Sequence, residues 1–119
     1  MMKVKLSGIY QILHVPSGEF YIGMSRDVFS RWNSHYTQIR MGSHSSPSLQ
    51  ARFLASSASE WAFSIIESHS FDQFKRDRSL RGGAAVSEFR KFLLGRERAV
   101  MATYPRRLAL NKDCKYFAD

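Results

Sequence analysis

Ser7-Gly8-Ile9-Tyr10-Gln11-Ile12-Leu13-His14 and its echo Phe20-Tyr21-Ile22-Gly23-Met24 are the stretch on which the reading of the fold turns. Both runs are short and rich in β-branched and aromatic residues, the composition of a strand. Between them stands Val15-Pro16-Ser17-Gly18-Glu19, in which proline presets φ, glycine supplies φ > 0 and serine can bond its own backbone. The pair therefore predicts an antiparallel hairpin with a loop of moderate length. Side chains alternate along a strand, so Tyr10, Ile12 and His14 share one face, and Tyr21 and Gly23 share another. If those faces coincide, two phenols lie side by side, with Gly23 leaving backbone room beside them. Taken alone, such tyrosines are better explained as packing residues with large apolar rings.

After the hairpin, Ser25-Arg26-Asp27 offers an N-cap, and Val28, Phe29, Trp32, Tyr36 and Ile39 recur at helical spacing. A helix is expected from about Asp27 to Arg40, ending near Gly42. Arg31 and His35, four residues apart, fall on one flank beside its apolar stripe. Both are compatible with an ordinary snorkelling helix edge. A polar loop with His44 follows, and then Ser46 as a cap and Pro47 at the first position of a second helix. Leu49, Phe53 and Leu54 supply that helix with a short buried face. Trp61-Ala62-Phe63-Ser64-Ile65-Ile66-Glu67 alternates and predicts a third strand, which a lone hairpin needs for stability.

Beyond it, Phe71 and Phe74 anchor a charged stretch, and Leu80-Arg81-Gly82-Gly83-Ala84 predicts a flexible break. Residues 70–85 read as either a substrate-binding insertion or a variable loop. A last helix is expected from near Ser87 to Ala102 or Thr103, before Pro105. Its stripe is Val86, Phe89, Leu93, Val100 and Tyr104, and Glu97 stands where a further apolar residue would divide the longest step. A carboxylate on a core-facing stripe is costly unless it is paired or binds a metal. An ion pair with Arg31 and a metal site are both open. Asn111, after the helix, is in its own right a turn former.

The 119 residues make one domain with one modest core, and no apolar run approaches the ~18 residues of a membrane span. No apolar stretch follows the N-terminal lysines, so a secretory signal is not expected. The single Cys114 cannot form an internal disulfide, which fits a reducing cytoplasm. The net charge is +8, and residues 75–119 carry twelve Lys/Arg against five Asp/Glu. Such a basic segment suits a polyanion, since each phosphate neutralised releases counterions, although a merely solvated basic face has the same composition. No Lys-rich amphipathic helix points to a membrane surface.

Gly8-Ile9-Tyr10, then Tyr21-Ile22-Gly23 ten residues later, then Arg31-Trp32-Asn33-Ser34-His35, Glu97 on a final long helix and Asn111 beyond it: this series resembles the GIY-YIG endonuclease family from Gly8 to Asn111. His44-Ser45-Ser46 and Leu49-Gln50 resemble its phage-type homing branch more than its repair or restriction branches. The resemblance implies an α+β fold, a small three-stranded, mainly antiparallel sheet flanked by helices. It also implies metal-dependent hydrolysis of DNA phosphodiesters. In its terms Tyr10 is the general base and Tyr21 positions water or phosphate. Arg31 stabilises developing charge, and His35 assists proton transfer or holds Tyr10. Glu97 binds one Mg²⁺, for which Mn²⁺ could substitute. Arg26, His44, Asn111, Arg106 and Arg107 are the expected substrate contacts, and double-stranded DNA is the expected partner.

Homing enzymes of this kind usually carry a separate DNA-binding region after the nuclease domain, whereas this sequence runs to Asp119. The expectation is a free-standing nuclease, a fragment, or one that takes specificity from a protein partner or acts as a homodimer. RNA cleavage is a weaker alternative. A non-catalytic nucleic-acid- or partner-binding module is the reading from another class, but binding alone requires no such set of tyrosines, arginine, histidine and glutamate.

Overall fold

The structure, a computed structural model, describes residues 5–119. The expectation of no secretory signal falls on residues 1–5, of which 1–4 lie outside the described residues.

The hairpin forms as its residues dictate: β1 (Gly8–His14) and β2 (Phe20–Ser25) pair antiparallel, with Tyr10 opposite Gly23 and Ile12 opposite Tyr21. The His14 N–H donates to the Glu19 carbonyl at 2.8 Å to close the loop, and Gly18 supplies the left-handed turn residue at φ 75°. The third strand, β3 (Trp61–Ser68), pairs antiparallel with the other edge of β1, so the sheet runs β2-β1-β3 with β1 central. At Gly8 a Cβ would lie 2.0 Å from the Glu67 carbonyl oxygen, so only glycine lets β3 approach β1 there.

Strict alternation on the hairpin sorts the core into two layers. Tyr10 and Ile12 pack on one face with Val28, Ile39, Leu49, Trp61 and Leu110. This layer is covered by α1 (Val28–Arg40) and α2 (Pro47–Leu54). Ile9, Phe20 and Ile22 pack on the other face with Val100 and Met101 of the last helix and with Phe117. A third cluster joins Phe74 of α3 (Phe71–Arg78) to Phe89 and Leu93 of α4 (Gly82–Met101).

Several local expectations change. In α1 the buried residues are Val28, His35 and Ile39, while Phe29 and Tyr36 stay 48% and 43% exposed. His35 thus belongs to the core-facing line, and the aromatic residues form a neighbouring stripe. Leu54 is 63% exposed, because α2 turns only Leu49 and part of Phe53 inward. The last helix begins at Gly82 rather than near Ser87, and residues 71–78 are helical, so the expected flexible break shrinks to the turn at Ser79–Arg81. Gly82 enters the helix at φ 56°, outside the helical region, and Gly83 costs about 1 kcal/mol in the first turn. Packing offsets this: Ala85 and Phe89 are fully buried, Phe71 stacks on Phe89 at 4.9 Å, and Phe74 lies tilted against it at 5.0 Å. On α4 the buried line is Ala85, Phe89, Leu93, Val100 and Met101, with Ala85 and Met101 replacing the expected Val86 and Tyr104.

The chain after α4 returns along the free edge of β2. Ala109 bridges Phe20 in parallel, and the Leu110 N–H donates to the Phe20 carbonyl at 2.6 Å. This segment satisfies backbone groups that an open edge would leave to a foreign strand. Among the described residues no helix is long and apolar enough to cross a membrane.

Candidate active site

Strand alternation and the register place Tyr10 and Tyr21 on the same face of the hairpin, the coincidence that the sequence left open. Tyr10 is 1% exposed, and Tyr21 is half-buried beside it. Gly23, directly opposite Tyr10, makes this possible: a Cβ there would lie 2.4 Å from both Cζ and the phenolic oxygen of Tyr10. The expected backbone room is therefore occupied by the ring of the proposed base.

His35 reaches this face from α1. Its Nε2 lies 2.6 Å from the Tyr10 oxygen, and its Nδ1 lies 2.6 Å from Nε2 of His44. The His44 Nδ1 accepts the Ser46 backbone N–H at 2.9 Å. Tyr21 packs edge-on against both imidazoles, at 5.0 and 6.0 Å between ring centroids. Both histidines are buried, at 1% and 7% exposure. His44 is accordingly a buried residue of the site wall, not an exposed loop residue. Its place in the wall of the site follows from Ser46, which caps α2 by accepting the Leu49 N–H and ties its own hydroxyl to the Leu110 carbonyl. The sequence signal for this was present in the Ser46-Pro47 cap, two residues after His44.

Burial dominates the titration of the site. It raises the Tyr10 phenol far above its ordinary range, with further upward push from Tyr21, while the charge and N–H groups of Arg31 oppose it. Burial also raises Tyr21, again opposed by Arg31. His35 is pushed down to about 3 by burial, Arg31 and His44, so it is neutral at physiological pH. Burial and Arg31 likewise depress His44. Arg31 is thus the one cation felt by all four groups.

Glu97, on α4, contributes negative charge to both phenols. It is half-buried, and burial lifts its carboxyl to about 7 against the pull of Arg98. No ion pair between Glu97 and Arg31 forms among the described residues, and the former reading of a buried pair lapses. A lone half-buried carboxylate whose charge reaches both phenols is a group that could hold one hard divalent ion alongside water. No cluster of three His, Cys, Asp or Glu suited to a metal occurs among the described residues, so a protein-built cage is not the alternative.

Two expected substrate contacts are used internally. Both ends of the Asn111 amide pair with the backbone of Ile22: Nδ2 donates to its carbonyl at 2.8 Å, and Oδ1 accepts its N–H at 3.1 Å. Asn111 therefore acts as one residue of a further strand, between Tyr21 and Gly23. Arg106 donates to the carbonyls of Cys114 and Phe117 at 3.1 and 2.9 Å and pairs with Asp119, which fastens the C-terminal segment. Arg107 is exposed. Arg96 is also engaged, in a two-pronged bridge to Glu67 at 2.9 and 2.5 Å that holds the Glu67 carboxyl near 2.

A groove of about 780 Å³ runs past Arg31 and is lined by Arg26, Ser30, Ser34, His69 and Phe71. The Arg26 guanidinium lies 5.1 Å over the Phe71 ring, which places this cation at the groove wall.

The family model described as the GIY-YIG catalytic domain matches residues 6–76. Intron-associated endonuclease 1 of Enterobacteria phage T4 is 40% identical to the chain over 47 residues, which cover 40% of this chain and 19% of that protein. The matched stretch thus spans about a fifth of the relative's length. Among solved structures, a variant of the catalytic domain of intron endonuclease I-TevI superposes with a TM-score of 0.68 at 23% identity, covering 95% of this chain and 99% of that one. A second structure, of the catalytic domain of homing endonuclease I-TevI, superposes at 0.57 with 24% identity, over 80% and 84%. The likeness establishes the same fold: a three-stranded antiparallel sheet with four helices.

Proposed function

The chain belongs to the GIY-YIG family, and from that premise we propose that it is a metal-dependent endonuclease that hydrolyses DNA phosphodiester bonds. The observation that carries this reading is the convergence of Tyr10, Tyr21, His35, Arg31 and Glu97 on one wall. Packing alone does not require a phenol, an imidazole, a guanidinium and a carboxylate within each other's fields.

Each residue then has a distinct task. Arg31 presents a guanidinium fork to the scissile phosphate and opposes the accumulation of charge there. Tyr10 removes a proton from the attacking water, and Tyr21 orients that water or a phosphate oxygen. Burial works against the Tyr10 phenolate, so positive charge must enter the site before Tyr10 can act at neutral pH. Arg31 supplies part of it. A Mg²⁺ held by the Glu97 carboxylate, with Mn²⁺ as a substitute, would supply the rest and relieve charge on the phosphate. Arg26 and Arg31 line the groove in which a nucleic-acid backbone would lie. Double-stranded DNA is the substrate expected on this reading, in keeping with a phage relative that is named an intron-associated endonuclease. A homodimer, as a way for single active sites to cut both strands, or a specificity-giving protein partner belongs to the same proposal.

The test is single-turnover cleavage of supercoiled plasmid, with single-stranded DNA and RNA in parallel, each with Mg²⁺ or EDTA. Tyr10→Phe removes the ring oxygen assigned to take the proton, and a loss of about 10²–10⁴-fold with unchanged folding is expected. Cleavage persisting in EDTA would overturn the metal reading, and a fully active Tyr10→Phe protein would overturn the base assignment.

A further inference from the structure

We infer that His44 is a positioning residue for Tyr10, and that the Ser46 backbone N–H wires His44 and His35 in series so that His35 offers an N–H, not a lone pair, to the phenolic oxygen. The inference rests on the role proposed above for Tyr10. It begins from a donor that cannot change: a backbone N–H only donates. Its partner, Nδ1 of His44 at 2.9 Å, must therefore be bare. A neutral imidazole carries one proton, so that of His44 sits on Nε2. That atom is 2.6 Å from Nδ1 of His35, to which it donates. His35 in turn has its proton on Nε2, 2.6 Å from the Tyr10 oxygen, and donates it there. The reverse direction would leave His44 without a proton on either nitrogen. Both imidazoles are kept neutral by burial and by Arg31, so no second proton relaxes the constraint.

The polarity of this chain decides what His35 does. It cannot take the Tyr10 proton, because the nitrogen that faces the phenol is already occupied. An N–H aimed at the phenolic oxygen instead strengthens when that oxygen becomes anionic, since charge-assisted hydrogen bonds are about twice as strong as neutral ones. The Tyr10 proton leaves by the other side of the oxygen, away from His35, to solvent water before that oxygen can take one from the attacking water. His44 touches no reacting atom; it fixes the tautomer of the residue that does. The Ser46 N–H is set in turn by the α2 cap and by the tie to Leu110.

The direct test is the ring ¹⁵N–¹H correlation spectrum of the full 119-residue chain, which distinguishes bare from protonated nitrogens in each histidine. Bare Nδ1 and protonated Nε2 are expected for both His35 and His44. A protonated Nδ1 on His35 overturns the inference whether or not the protein cleaves DNA. Conversely, if Tyr10→Phe retains full activity while both tautomers are as stated, the base assignment fails and the wiring stands. In His44→Phe the donor to His35 is lost, and the His35 proton should redistribute between its two nitrogens, with cleavage slowed about tenfold. His44→Gln places an amide N–H near the former Nε2, and should restore the His35 tautomer and most of that lost rate. Equal losses in both variants, with the His35 tautomer unchanged in each, would reduce His44 to a packing residue. If His44→Phe does not fold, the spectrum of the unaltered chain still decides.

Discussion

Gly23→Ala offers a sharp test of how tightly the hairpin pre-sets its tyrosine. The added methyl would stand 2.4 Å from Cζ and Oη of Tyr10, whereas ordinary contact begins near 3.4 Å. The β1–β2 ladder holds the backbone at this point, with Gly23 directly opposite Tyr10, so the ring must give way by about 1 Å. A displacement of that size along the Tyr10–His35 bond would stretch it from 2.6 Å to about 3.6 Å, beyond hydrogen-bond range. The stability cost combines overpacking strain, about 1–3 kcal/mol, with the loss of one hydrogen bond, about 1 kcal/mol. For a domain of this size that lowers Tm by roughly 5–15 °C. Misplacing a reacting group by about 1 Å can cost about 10²-fold in rate. Thermal melts and single-turnover cleavage below the melting range measure the two losses separately. Wild-type cleavage by a folded Gly23→Ala protein would refute the argument, because the base would then tolerate the displacement that its neighbour enforces.

Further outcomes follow from other parts of the site. Glu97→Ala should abolish cleavage while leaving DNA binding intact or tighter, since a carboxylate near phosphates repels them; gel shift beside a cleavage assay checks this. In the metal-free protein the Glu97 carboxyl sits at about 7, above its unfolded value, so its burial costs nothing at low pH and progressively destabilises as pH rises through that interval. Glu97→Gln should therefore raise Tm above pH 7 and leave it nearly unchanged near pH 4, by melts with EDTA; equal shifts at both pH values would contradict this. Asn111→Asp keeps the acceptor but loses the donor to the Ile22 carbonyl, so it should destabilise by about 1–3 kcal/mol, measured by denaturant unfolding. Arg107→Gln should flatten the log–log salt dependence of DNA binding by about one, whereas Arg106→Gln should act mainly on stability, since its guanidinium fastens the C-terminal carbonyls.

The hairpin, the faces of its tyrosines, the extent of α1 and the existence of β3 were all legible in the sequence. These properties depend on neighbours along the chain: alternation fixes which side a strand residue takes, and turn formers bound the loop. Asp27 and Ser46 read as helix caps for the same local reason, and both accept the expected backbone N–H groups. The candidate site was legible through motif resemblance in Tyr10, Tyr21, Arg31, His35 and Glu97. The bare spacing of Arg31 and His35 placed them on a solvated flank, and only the packing of α1 against the sheet buried His35.

What the tertiary structure alone decided are the partners of groups that carry no signature in a sequence. Asn111 spends its amide on a backbone 89 residues away, and Arg106 on carbonyls that any residue would present. The early start of α4 has the same origin: Gly82 and Gly83 disfavour helix locally, but Phe71 and Phe74 cover its first turns. The direction of the Tyr10–His35–His44 chain depends on a single backbone N–H at Ser46. Side-chain identity along the chain specifies which faces seek burial, whereas hydrogen bonding to main-chain atoms is specified only once folding has brought distant segments together. The sheet and its phenols are of the first kind, and the wall that orients them is of the second.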